Sequence, residues 1–189
     1  MELREIEEIV KSKLSEKRYK HSLAVMQRCV ELAKIYDVDE PKAAMVGLAH
    51  DVAKEMDKET CTQILKENNV ELDKIELENF ALWHAKVGAI ICKNVFGFSQ
   101  DMVQAVENHT LGKRKMDLLS KILFVADATG LDRNWDDLEY ARKLSEVSLD
   151  DTIIYIIDIN IKDNIAKKRQ IHPESIMLRN ELLSEKNLL

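Results

Sequence analysis

Four of the five histidines stand where the surrounding sequence is apolar at helical spacing. His21 shares a helical face with Val25, Cys29 and Leu32; His84 with Phe80, Val87, Gly88 and Ile91; His109 with Met102, Ala105 and Val106. His50 follows Ala43, Val46 and Gly47 on one stripe, and Asp51 follows Ala44, Gly47 and Leu48 on an overlapping one, so the adjacent pair faces the same interior. Asp127 closes the apolar run KILFVAD. An ionised carboxylate costs many kcal/mol to bury alone, so buried charges are paired or bind a metal. Lys54, one turn beyond Asp51, is a candidate counter-ion, but one ammonium cannot satisfy two carboxylates and orient four imidazoles. A divalent metal can. Mixed imidazole and carboxylate ligation without thiolate suits iron, manganese, zinc or magnesium, and the residue types do not choose among them. Any single histidine on an apolar face is more often a satisfied core residue than a ligand. The set of four with two aspartates, on separate segments, is hard to assemble by accident.

The elements that must hold these side chains are helices. Leu3, Ile6, Val10 and Leu14 open a helical period that continues over 17–36, 40–55, 58–69 and 74–96. Further periodic segments run over 100–110, 117–128, 136–147, 149–168 and 174–186. Pro41 and Pro173 sit at helix starts. The run DTIIYIIDINI at 151–161 has strand-forming composition, yet Leu149, Ile153, Ile156, Ile157 and Asn160 fall on one helical face and no partner strand exists elsewhere. It reads as helix. The polar stretch 129–137 reads as a functional loop.

With 46% hydrophobic and 33% charged residues but only 5 Gly and 2 Pro, the composition is that of a folded chain with few turns. The expectation is an all-α fold forming a single helical domain over 1–189. A net charge of −6 excludes general attraction to nucleic acid or an anionic membrane, so a phosphate-bearing partner must be small and held by a local site. No apolar stretch is long enough to span a bilayer. The amphipathic start MELREIEEIV does not resemble a secretion signal. Cys29, Cys61 and Cys92 lack a CxxC and read as buried small hydrophobes in a reducing compartment, hence a cytoplasmic setting. A homodimer is left open.

The order His21, then His50-Asp51, then Asp127 resembles the H, HD, D signature of HD-domain phosphohydrolases. Six ordered strings, RYKHSLAV, GLAHDVAKEM, LWHAKVGA, VENHTLG, KILFVAD and IHPESIMLRN, are similar to the YqeK-like branch, the symmetrical diadenosine tetraphosphate hydrolases, across nearly the whole chain. The resemblance implies an HD-domain helical bundle in which His21, His50, Asp51 and Asp127 hold a metal, with iron favoured. It implies that His84 and His109 line a second metal position or the scissile phosphate, with Asp51 able to bridge, and that Asp51, Lys54, His84 and His109 serve catalysis. Arg18, Lys54, Thr110, Arg133 and the segment Gln170, Ile171 and His172 match positions that contact the nucleotide. Position alone agrees for Arg18 and Lys54, each one turn from a proposed ligand. Beside Pro173, His172 reads from position alone as an exposed helix-start residue. Trp83 and Trp135 read as core rather than as base-stacking platforms.

Two departures from the family pattern concern substrate more than metal. DATGLDR, at 127–133, carries Gly130 and Leu131 where a Glu-Pro pair is usual, and Leu111 replaces the second threonine after His109. The expected reaction is hydrolysis of diadenosine tetraphosphate to two ADP by a metal-activated water. The rival readings are an HD enzyme acting on another nucleotide, a non-catalytic nucleotide- or metal-binding module, and a purely structural helical scaffold.

Overall fold

The computed structural model of the chain describes residues 1–187, and every regular element among them is helical. In chain order the helices are α1 (Leu3–Lys13), α2 (Glu16–Ile35), α3 (Glu40–Ala49), α4 (Lys58–Glu67), α5 (Lys74–Glu78), α6 (Trp83–Asn94), α7 (Gln100–Asn108), α8 (Leu118–Thr129), α9 (Leu138–Ser145), α10 (Leu149–Ala166) and α11 (Pro173–Asn187), with a 3-10 turn at Phe80–Leu82. Side-chain caps begin many of them. Asp39, Asp57, Asp73 and Asp117 each accept the backbone N–H three residues on, which satisfies a donor the helix itself cannot pair.

α2, α3, α6, α7 and α8 pack on one another, and α10 joins α8 to α9 and α11. Val25, Leu32, Val46, Leu48, Val106, Ile122, Leu123, Ile153 and Ile157 are buried in one continuous core. Each such side chain contributes about 1.5 to 3 kcal/mol on leaving water, which offsets the cost of holding polar groups in the same interior. α3 lies close against α2 because Gly47 has no side chain: a Cβ there would meet Met26 Cα at 2.7 Å. The stretch 151–161 lies inside α10, with Leu149, Ile153, Ile156 and Ile157 buried along one face and Ser148 capping the start.

Two expected helices are shorter than their periodicity. The segment 40–55 is helical only to Ala49 and continues in tighter turns, Val52 N–H to Ala49 O at 3.0 Å and Lys54 N–H to Asp51 O at 2.8 Å. At this point the His50 ring bonds the Gly47 carbonyl at 2.8 Å. The segment 74–96 divides into α5, the 3-10 turn and α6, because the Trp83 indole N–H and the Asn79 backbone N–H both turn back to the Glu76 carbonyl, at 2.6 and 3.0 Å. α8 runs through Thr129, which leaves 130–137 as the loop.

Candidate metal centre

Five helices deliver the inward histidines and aspartates to one place. His21 comes from α2, His50 and Asp51 from the end of α3, His84 from the first turn of α6, His109 from the end of α7 and Asp127 from α8. The rings form a row, His21 to His50 to His109 to His84, with centroids 5.2, 5.1 and 5.0 Å apart. All four histidines are buried, His50 completely.

Three of the rings are anchored alike. Nδ1 of His50, His84 and His109 bonds the carbonyl three residues earlier, on Gly47, Ala81 and Val106, at 2.8, 2.7 and 2.7 Å. A carbonyl only accepts, so each Nδ1 carries the hydrogen and each Nε2 presents a lone pair to the interior. Nδ1 of His21 is held instead by the Asp132 carboxylate at 2.7 Å. This carboxylate-to-imidazole arrangement fixes ring orientation and raises the basicity of the other nitrogen.

Asp51 faces two sets of nitrogens. Its Oδ2 lies 3.9 Å from His21 Nε2 and 3.6 Å from His50 Nε2, while its Oδ1 lies 3.3 Å from His84 Nε2 and 3.8 Å from His109 Nε2. Asp127 Oδ1 is 3.1 Å from His21 Nε2 and 3.8 Å from His50 Nε2. An ion about 2.0 to 2.2 Å from each ligand leaves neighbouring ligand atoms at roughly such separations. The ligand atoms of His21, His50 and Asp127, and those of His50, Asp51 and His109, each lie within 4.8 Å of one another.

The carboxylates do not depend on Lys54, the counter-ion that the sequence suggests. Arg18 reaches Asp51 Oδ2 at 3.0 Å, and Arg133 bonds both the side chain and the backbone carbonyl of Asp127. Lys54 is not their counter-ion; its Nζ lies 3.2 Å from His84 Nε2. The group left over is an imidazole. His50 Nε2 is buried with no hydrogen-bond partner among the described residues, amid carboxylates that a cation would draw together. His84 and His109 differ, since the Lys54 ammonium lies 3.2 Å from His84 Nε2 and the Thr110 hydroxyl 3.3 and 3.2 Å from the Nε2 atoms of His84 and His109. The cluster therefore fits a divalent metal, and the unpartnered His50 Nε2 belongs to both candidate groups, His21 with His50 and Asp127, and His50 with Asp51 and His109.

The electrostatics suit ligation. Burial pushes the His50 imidazole down to about 4 and His84 to about 3, so both stay neutral with free lone pairs. Burial alone would raise the Asp51 carboxyl, but the surrounding imidazoles reverse it and hold Asp51 well below the carboxylate range. Burial likewise opposes ionisation of Asp127, and the His21 hydrogen bond, the His50 imidazole and the Arg133 guanidinium together overcome it. At His21 burial works downward, and the Asp127 and Asp132 contacts prevail to raise it. Lys54 is depressed by its own burial, with Asp51 resisting.

The remaining expected residues line a cleft beside this row. Thr110, Gln170, Ile171 and His172 share a cavity of about 650 Å³ with Leu111 and Ser175. Thr110 joins cleft to centre, its hydroxyl 3.2 Å from His109 Nε2. His172 is not the exposed helix-start residue that position suggested. It is buried, with Nε2 bonded to Asp73 at 2.7 Å and Nδ1 accepting the Glu174 N–H at 3.2 Å. Gln170 bonds Glu78 at 2.6 Å. Asp132 was missed by sequence reasoning; its only signal was a carboxylate in a polar loop just past Asp127.

The profile of the HD-domain family matches residues 18–131, a span holding His21, His50, Asp51 and Asp127. The chain belongs to the HD-domain family. As an HD-domain hydrolase it has near full-length relatives. A Halalkalibacterium halodurans protein named "Bis(5'-nucleosyl)-tetraphosphatase, symmetrical" is 33% identical over 94% of this chain and 95% of its own. A Bacillus subtilis protein of the same name is 32% identical over 93% of this chain and 94% of its own. A crystal structure from Clostridium acetobutylicum, described as a predicted HD superfamily hydrolase involved in NAD metabolism, superposes with a TM-score of 0.94 at 35% identity over 98% of both chains. The all-helical HD-domain fold expected from the sequence is the fold observed.

Proposed function

We propose that this HD-domain hydrolase cleaves diadenosine tetraphosphate at its central anhydride, with water giving two ADP, and that all 189 residues serve one domain built around that site. The observation that carries the substrate is the near full-length similarity to relatives named symmetrical bis(5'-nucleosyl)-tetraphosphatases. What favours hydrolysis by a metal-held water is the donor set, since the candidate ligand groups consist of imidazoles and carboxylates. In this reading His21, His50, Asp51 and Asp127 hold one ion, with iron favoured and manganese, zinc or magnesium as alternatives. Bound there, such an ion would acidify a water to a pKa of about 7 and polarise a phosphoryl oxygen.

The chain's own residues do the rest. Asp51 faces both nitrogen sets through its two oxygens, so it would hold the ion at one end and keep the His84 and His109 rings oriented at the other, or bridge to a second ion there. Lys54, Arg18 and Arg133 neutralise charge on the phosphate chain and the departing ADP, which is electrostatic stabilisation. Thr110 donates to the phosphate from the cleft side, and Gln170, Ile171 and His172 bound one nucleoside. The partner is thus a small nucleotide. Cys29, Cys61 and Cys92 are buried free thiols, which suits a reducing, cytoplasmic setting. No helix among the described residues is long and apolar enough to cross a membrane.

Gly130 and Leu131 keep other nucleotides in play as the second reading. The test is product chromatography on protein loaded with iron or manganese, offered diadenosine tetraphosphate, other dinucleoside polyphosphates, cyclic nucleotides and nucleoside monophosphates. ADP is the expected sole product from the tetraphosphate, and His50→Ala is expected to lose at least a hundredfold in rate. Equal rates for the two proteins would sink the reading.

A further inference from the structure

Symmetric scission places the central phosphates at the metal centre, so two identical ADP halves must leave it in different directions. The row of imidazoles has two ends. At the His84 and His109 end Thr110 leads into the cleft of about 650 Å³ bounded by Gln170, Ile171 and His172. At the His21 end Asp127 and Arg133 open into a different cleft of about 410 Å³, against Trp135, Ile156, Ile159 and Asp163. Asn160 of α10 lines both, so one helix forms the shared wall.

We propose that this second cleft is the subsite for the other nucleoside, with Trp135 as the flat face against its base. The inference rests on the symmetrical tetraphosphatase reading above. Its volume lies within the range of about 300 to 1,000 Å³ typical of ligand pockets. Its chemistry is graded as a nucleotide half is graded. Arg133 stands at the inner end, where it meets a phosphate; Ile156 and Ile159 give an apolar wall; Asn160 and Asp163 offer an amide and a carboxylate to a sugar hydroxyl or a base edge. Trp135 is half-buried, and its indole N–H is fixed on the Ala128 carbonyl at 2.9 Å, so the ring is held in place before a base arrives. A base stacked on an aromatic ring is worth about 1 to 3 kcal/mol, which is about 5- to 150-fold in affinity. The two clefts share only Asn160 among their walls, so the symmetric molecule is gripped by two unlike subsites.

Calorimetric titration of metal-loaded protein with ADP tests this without turnover. Two ADP per chain are expected for the wild type and for Trp135→Phe, and one for Trp135→Ala and for Ile159→Glu, which fills the same cleft from its other wall. In parallel, the ratio of kcat/KM for diadenosine tetraphosphate over adenosine 5′-tetraphosphate should fall at least tenfold in both one-site variants. One ADP per wild-type chain, with that ratio unmoved in Trp135→Ala and Ile159→Glu, overturns the subsite and leaves the hydrolase reading intact. Two ADP per wild-type chain with no cleavage of any dinucleoside polyphosphate overturns the substrate reading and retains the subsite.

Discussion

His50 is the residue on which the centre turns. Its Nδ1 is committed to Gly47, its Nε2 has no hydrogen-bond partner among the described residues, and burial keeps it neutral. His21 is its opposite, raised above the ordinary 6.5 by carboxylates. Protons and a metal compete for the same lone pair, so His21 sets the upper edge of the competition. Metal affinity is expected to fall as pH drops through the raised pKa of His21, where that ring takes its proton, while His50 and His84, near 4 and 3, add nothing until far lower. A metal titration giving one constant affinity between pH 8 and 6 would contradict this. Asp132 is expected to matter through His21 alone. Asp132→Asn keeps the shape but not the charge, and outer partners of this kind are worth about 10- to 100-fold in metal affinity. Unchanged affinity in that variant would mean His21 orients without it.

Among the elements, the approach of α3 to α2 decides whether the row exists. Gly47→Ala would gain about 1 kcal/mol of helix propensity, yet its Cβ would meet backbone at Met26 and the Cys29 sulfur at 2.7 and 3.0 Å. Backbone on one side cannot yield as a side chain can, so overpacking at about 1 to 3 kcal/mol prevails. Thermal unfolding should show a lower Tm, together with weaker metal binding because His50 moves from His21; an unaltered Tm would show that α3 has room to shift. The turn after α7 is a second such point. Gly112 holds φ +71° and its N–H bonds Asn108 O at 2.8 Å, directly under Leu178 of α11. Gly112→Ala is strained at that φ and pushes α11 from the cleft, so a rise in KM larger than any change in kcat is expected from initial-rate kinetics.

For the molecule as a whole, α2, α3 and α8 converge on the proposed ion position, with α6 and α7 beside it, so an ion that binds only the folded chain stabilises the packing of these helices together. At a free concentration a hundredfold above Kd the stabilisation is about 2.7 kcal/mol, which for a domain of this size raises Tm by about 5 to 10 °C. Differential scanning calorimetry with iron or manganese, with and without chelator, should show that rise in the wild type and its loss in His50→Ala. An equal rise in both proteins would locate the binding elsewhere.

The sequence by itself determined the helices and the inward face of each ligand, because a period of 3.6 residues ties a residue's direction to its neighbours on the same stripe. His50 and Asp51 beside Gly47, and Asp127 after Phe124, were legible for that reason. Periodicity carries no information about side-chain partners or about where a helix must yield. Lys54 and Arg18 each stand one turn from a ligand in sequence, yet only Arg18 reaches Asp51. Nor does periodicity mark the stop at Ala49, where the His50 ring turns to the Gly47 carbonyl. Asp132 gained its role only when the loop folded back over α2. Both clefts were likewise decided by tertiary structure: α10 and α11 bring Asn160 and His172 against Thr110 and Arg133, and contacts between residues so distant in sequence are set by packing rather than by any local pattern.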